Sequence, residues 1–208
     1  DEIAAFMEDK DVVIMGPGLS QNEGVMELAR RMYREIDKPF VIDADGINAF
    51  RGHTPLLKKR GRKTVLTPHP GELARLIDRT PKEVNEDRTG AALTSARAWG
   101  VNVLLKGAAS VLATPEGRMF LNPTGNPSLA KGGSGDILTG FIGGLASQGY
   151  SLTESTLFGA YLHGYMADTW VENHSDMDLL ALDLVTGLGD AIEDIRNGTD
   201  RVYIERSL

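Results

Sequence analysis

Short, continuous apolar runs alternate with stretches of helical periodicity through the first half of this chain. Asp11-Val-Val-Ile-Met15, Pro39-Phe-Val-Ile-Asp43, Thr64-Val-Leu-Thr67 and Asn102-Val-Leu-Leu-Lys106 lack polar alternation, the mark of strands buried on both faces of a parallel sheet. Ile3 to Met7 reads as the end of a helix, and Val25, Met26, Leu28, Ala29, Met32 and Ile36 recur at helical spacing over 22–36. Leu73, Leu76 and Ile77 mark a third helix. Thr80-Pro-Lys-Glu83 has a cap, a proline at the first helical position and an acid three residues after the cap. The helix it opens is expected to pause near Gly90 and continue through Ala98. Segments 109–113 and 118–121 flank the turn Thr114-Pro-Glu-Gly117 and predict an antiparallel pair. Only helices are expected next, over 136–147, 152–171 and 180–196, and then an edge strand over 201–204. Gly140, Gly143, Gly144 and Gly159 within the first two of these helices predict close helix packing, since each glycine costs about 1 kcal/mol of helix propensity.

The strand ends carry the polar chemistry. They read Gly16-Pro-Gly18, Asp43-Ala-Asp45, His69-Pro-Gly-Glu72 and Lys106-Gly-Ala108, and in open α/β sheets ligands sit at the carboxyl ends of strands. Each has a structural alternative that residue types alone leave open. Gly16-Pro-Gly18 also makes a tight turn, and Asp45 also caps a helix. His69, fenced by prolines, fits either a ligand contact or a structural hydrogen bond. Glu72 sits where a helix dipole favours any carboxylate. Lys106 suits a phosphate or ribose but equally a strand exit at the surface. His163, among Tyr161, Leu162 and Tyr165, reads as a satisfied core or interface histidine, whereas His174, Asp176 and Asp178 read as a solvated loop.

The segment Asn122-Pro-Thr-Gly-Asn126 through Ala130-Lys-Gly-Gly-Ser-Gly-Asp136 runs straight into an apolar helix. Gly132, Gly133 and Gly135 let backbone N–H groups crowd at the positive end of that helix, which suits phosphate. A carboxylate there repels phosphate, so Asp136 needs a separate task. It either caps the helix or takes a proton from a hydroxyl that attacks a phosphoryl group.

Composition narrows the field. A chain of 208 residues, 41% hydrophobic and 25% charged, is long enough for one sizeable domain. The net charge of −7 with scattered basic residues argues against a nucleic-acid-binding face. The sequence has no cysteine, which excludes disulfides and thiol catalysis and is compatible with a reducing cytoplasm. No apolar run reaches the length of a membrane span. Asp1 is not an initiator methionine, so the expectation is of a processed product or a piece of a longer polypeptide.

Together the segments Thr67-Pro-His-Pro-Gly-Glu72 and Asn122 to Asp136 resemble the ADP- or ATP-dependent NAD(P)H-hydrate dehydratases, a branch of the ribokinase-like kinases; the resemblance runs from about residue 11 to 197. It implies a ribokinase-like, three-layer α/β/α domain over 1–208, and metabolite repair by phosphorylation of the hydrate hydroxyl followed by loss of phosphate. It also implies Asp136 as base, with Gly133, Ser134 and Gly135 holding the transferring phosphoryl group. Lys106, Gly107, Ala108, Ala109, Ser110 and Gly135 match adenine-nucleotide positions. Gly18 and His69 match positions contacting the hydrated nicotinamide, with Asp136, Asp45 and Asn126 assigned alongside them. Glu72 matches an acid that helps hold Mg2+ through water, with ADP or ATP as co-substrate. A cytoplasmic homotetramer is the implied assembly, with no nucleic-acid or membrane partner. The family's domain ordinarily opens with a Gly-rich strand–helix region upstream of anything present here, so a domain incomplete at its N-terminus is expected; some relatives also carry an upstream epimerase domain. A ribokinase-like kinase for a vitamin precursor or sugar, or a non-catalytic nucleotide-binding module, are the competing readings.

Overall fold

The computed structural model describes residues 2–59, 63–198 and 204–207. Helix α1 (Glu2–Phe6) is followed by β1 (Val13–Met15), α2 (Glu23–Glu35), β2 (Phe40–Ile42) and α3 (Ala44–Asn48). A 3-10 helix (Thr54–Lys59), β3 (Thr64–Leu66), α4 (Pro70–Leu76), α5 (Pro81–Glu86), α6 (Arg88–Trp99) and β4 (Asn102–Leu105) come next. Then come β5 (Val111–Ala113), β6 (Arg118–Leu121), a 3-10 turn (Pro127–Leu129), α7 (Ser134–Ser147) and α8 (Leu152–Trp170). Helices α9 (Ala181–Thr186) and α10 (Leu188–Asn197) lead to β7 (Ile204–Ser207).

Among the described residues the strands form one seven-stranded sheet in strict chain order. β1 to β4 are parallel, and β4 to β7 pair antiparallel. Side chains alternate across a strand, so consecutive residues sort into two cores. Phe40, Ile42, Leu66, Val103 and Leu105 point into one, with Tyr33 of α2, Ile47 of α3, Leu73 of α4 and Trp99 of α6. Val41, Val65, Leu104, Leu112 and Phe120 point into the other, with Leu138 and Ile142 of α7 and Ala160 of α8. The three-layer α/β/α architecture follows from that sorting. The buried Tyr33 hydroxyl is satisfied by the Leu57 carbonyl at 3.1 Å and Thr64 Oγ1 at 2.9 Å.

Most element boundaries fall within two residues of the sequence reading. The pause expected near Gly90 lies at Asp87, which ends α5 and caps α6 by accepting from the Gly90 N–H at 2.9 Å. The helix expected over 180–196 is broken at Gly187, between α9 and α10. Of the expected edge strand, residues 201–203 lie outside the described residues, and β7 begins at Ile204. Gly143 packs closely on the sheet, a Cβ there falling 2.4 Å from Ile14 Cδ1 of β1, and close packing between helices holds for Gly159, where a Cβ would lie 2.9 Å from Ile142 Cγ1 of α7. It does not hold for Gly140 and Gly144, which face open space. Among the described residues no helix is long and apolar enough to cross a membrane.

Candidate active site

The loops after β1 to β4 meet at the carboxyl rim of the parallel strands. A Cβ on Gly16, whose φ is +135°, would fall 1.7 Å from the Asp43 carbonyl oxygen, so glycine alone lets the first loop touch the second. The Lys106 N–H donates to the Pro68 carbonyl at 2.8 Å, joining the fourth loop to the third. Lys106 Nζ reaches over β3 to Asp43 Oδ1 at 2.6 Å, and Thr139 Oγ1 of α7 lies 3.3 Å from Asp43 Oδ2. Asp43 is buried and Lys106 largely so. A Cβ on Gly135 would lie 3.5 Å from both Asp43 Oδ2 and Lys106 Nζ, so the first turn of α7 rests directly on this ion pair. Ser20, Ala44 and Ala109 take positive φ without being glycine, and each follows a strand on this rim, where backbone strain tends to collect.

Gly133, at φ +86°, is the N-cap of α7 and makes no side-chain cap. Among the described residues the N–H groups of Gly132, Gly133, Gly135 and Asp136 have no intramolecular acceptor. They add to the positive end of the helix dipole, an arrangement that suits an anion. Asp136 is exposed in that first turn, and its carboxylate has no hydrogen-bond partner among the described residues. It is therefore not a cap, and it stands free beside these N–H donors. Lys131 is turned away, donating to the Met177 and Leu179 carbonyls at 2.6 and 2.9 Å.

His163 of α8 secures the turn from below. Its Nε2 lies 3.0 Å from the Ser134 carbonyl, which can only accept, so the proton sits on Nε2; Ser134 Oγ is also at 3.0 Å. Burial pushes the His163 pKa down to about 4 from an ordinary 6.5, against a smaller opposing effect of the Ser134 bond. The unfolded chain thus takes up a proton near 6.5 while the native protein stays neutral to about 4. Stability from this group is complete above 6.5 and falls as the pH drops towards 4, by about 3 kcal/mol in total. Denaturant titrations from pH 7 to pH 4 should show that slope, and His163→Gln should flatten it. An equal slope in the variant would refute the assignment.

The remaining sequence-predicted residues are placed as follows. Gly18, at φ +67°, opens to space within the first loop. Asp45 Oδ1 accepts from Gln21 Nε2 at 2.9 Å and Asn48 Nδ2 at 3.0 Å. His69 caps α4, its Nδ1 accepting from the N–H groups of Gly71 and Glu72 at 3.0 and 3.3 Å, yet its side chain stays 52% exposed. Glu72 Oε2 closes that capping box by accepting from the His69 N–H at 2.7 Å. Ser110 Oγ donates to the Gly107 carbonyl at 3.1 Å, folding Lys106 to Ser110 into a compact loop. Asn126 is held by structure: Nδ2 donates to Asp168 Oδ1 at 2.9 Å, and Oδ1 accepts from the Ser128 N–H at 3.0 Å. Asp168 Oδ2 also accepts from the Gly125 N–H at 2.9 Å. Nothing in the sequence pointed to Asp168 as the clamp on this loop, since it lies far along α8. His174, Asp176 and Asp178 are exposed, as read, and two of them also brace the end of α8: the His174 ring stacks 4.0 Å from Trp170, and Trp170 Nε1 donates to Asp178 at 2.7 Å.

A family model described as NAD(P)H-hydrate dehydratase matches residues 2–188. The chain is 38% identical over 202 residues to the bifunctional NAD(P)H-hydrate repair enzyme Nnr of Moorella thermoacetica, spanning 97% of this chain and 38% of that protein. It is 38% identical over 181 residues to the ADP-dependent (S)-NAD(P)H-hydrate dehydratase of Bacillus subtilis, spanning 87% of this chain and 63% of the relative. It thus spans less than two thirds of either curated relative. Among solved structures, the ADP/ATP-dependent NAD(P)H-hydrate dehydratase from Bacillus subtilis co-crystallized with ATP/Mg2+ superposes with a TM-score of 0.78 at 35% identity, covering 90% of this chain and 66% of the other.

Proposed function

The chain belongs to the NAD(P)H-hydrate dehydratase family, and from that premise we propose that it restores (S)-NAD(P)H hydrate to NAD(P)H at the expense of ADP or ATP. The observation that carries the proposal is the unpartnered Asp136 carboxylate beside unpaired N–H donors at the start of α7. Asp136 takes the proton of the hydrate hydroxyl as its oxygen attacks the terminal phosphorus of the nucleotide. The N–H groups of Gly132, Gly133, Gly135 and Asp136 hold the transferring phosphoryl oxygens, each such donor contributing about 3 kcal/mol where charge develops. The C–O bond then breaks with phosphate as leaving group, a proton is lost from the neighbouring ring carbon, and the double bond returns. Lys106, paired with Asp43, fixes an ammonium beneath the same turn, its charge shared with the carboxylate until a phosphate competes for it.

Mg2+ belongs to this proposal as a companion of the nucleotide. Among the described residues no cluster of His, Cys, Asp or Glu forms a metal cage. The donor set fits an ion held mainly by phosphate oxygens and water, the usual mode of Mg2+, with Glu72 as an outer acceptor. When bound, the ion would neutralise phosphate charge. Self-association is also part of the proposal, supported by exposed apolar side chains at Met177, Leu180, Leu182 and Val185, within nine residues of chain.

Hydrated NADH, Mg2+ and either ADP or ATP, followed by the fluorescence of returning reduced nicotinamide, test the reading. Recovery that requires a nucleotide is expected and names the donor. Absence of recovery together with accumulation of a stable phosphorylated product from another hydroxyl compound would replace the dehydratase by a kinase.

A further inference from the structure

Arg88, the first residue of α6, carries a charge that the mechanism above does not use. Its Nη1 donates to the Ala108 carbonyl, and its Nη2 donates to the Leu105 carbonyl at 3.2 Å. Among the described residues no carboxylate pairs with it, and its buried Nε has no acceptor. Burial pushes its pKa down, with no opposing charge to restore it. A half-buried guanidinium without a counterion is costly to keep. Here one arm of its fork holds the Lys106 to Ser110 loop at Ala108 and the other holds the end of β4 at Leu105, where that loop begins. A Cβ on Gly107 would lie 2.8 Å from Nη2, so the glycine leaves room for the fork.

The consequence is geometric. In a trans peptide the C=O and the following N–H point in opposite directions. Drawing the Ala108 carbonyl towards α6 therefore turns the Ala109 N–H away from α6. Ala109 sits at φ +50° and Gly107 at φ +144°, and turns of mixed handedness gather N–H groups into an anion-binding concavity. Ala108 and Ala109 are exposed, and among the described residues their N–H groups have no intramolecular acceptor.

We propose that Arg88 is the positioning residue of the nucleotide loop, its fork fixing the peptide planes that present the Ala108 and Ala109 N–H groups to the phosphates of ADP or ATP. The inference rests on the reading that this loop binds the nucleotide. ADP binding to the full chain by calorimetry is the test, with Arg88→Ala and Arg88→Lys beside it, together with steady-state turnover. Loss of two charge-assisted hydrogen bonds predicts about 10- to 100-fold weaker ADP binding in both variants, because a lysine keeps the charge but cannot span two carbonyls. The KM for nucleotide should rise by the same factor, with the KM for the hydrate unchanged. Unaltered ADP affinity in folded Arg88→Lys would overturn the inference and leave the dehydratase reading standing. A lowered melting temperature with wild-type affinity in the variants would overturn it too, since the role would then be structural only. No ADP binding by the unaltered chain would remove the reading itself, and the inference with it.

Discussion

Asp136→Asn is expected to slow turnover by about 10²–10⁴-fold, the range for a positioned general base, while ADP binding and thermal stability stay near wild type. The exposed Asp136 carboxylate makes no hydrogen bond among the described residues, so the amide removes no structural contact. It keeps the size and position of the side chain but cannot take a proton. Single-turnover kinetics beside ADP calorimetry separate the two effects. Equal loss of binding and turnover would mean that the carboxylate helps shape the anion turn, and the base would have to be sought elsewhere.

Asp43→Ala is expected to cost about 4 kcal/mol of folding stability, because removing one partner of a buried ion pair strands the other. Lys106 would keep its charge at 20% side-chain exposure with its acceptor gone, and Thr139 would lose its contact beneath Gly135. For a domain of this size that is about 10 °C in melting temperature. The double variant Asp43→Leu, Lys106→Met should recover much of the loss, since apolar residues of similar volume often match a buried pair. A double-mutant cycle in denaturant gives the coupling. Additive losses, or a single-variant cost below about 1 kcal/mol as for an exposed pair, would show that the rim does not depend on this bridge.

How much of this was legible in the sequence follows from which interactions are local. The buried strands announced themselves because both faces of the sheet are covered, leaving runs such as Phe40-Val-Ile42 without a polar position. The anion turn was legible because glycine spacing is a backbone property, written in consecutive residues. The Asp43–Lys106 bridge was not, although both residues drew notice, because 63 positions separate them and pairing is decided by register. His69 and Glu72 show the converse. Their capping box is written within four residues, and the structure uses both for it whatever ligand the half-exposed imidazole also meets. Arg88 gave no signal because it grips only backbone carbonyls, which carry no residue type to match, and Asp168 gave none because Gly125 and Asn126, which it holds, lie more than 40 positions away.

The order of the layers has a consequence for synthesis. The sheet is complete through β6 once Leu121 has formed, yet one face of it is covered by α7 and α8, which follow in the chain. A nascent polypeptide growing from its N-terminus therefore presents Val41, Val65, Leu104, Leu112 and Phe120 as bare apolar surface until Ala160 has left the ribosome. At typical elongation rates of about 5–20 residues per second this window lasts a few seconds. The segment that closes this window also delivers Asp136. The proposed base and the cover of the second core therefore arrive in the same step.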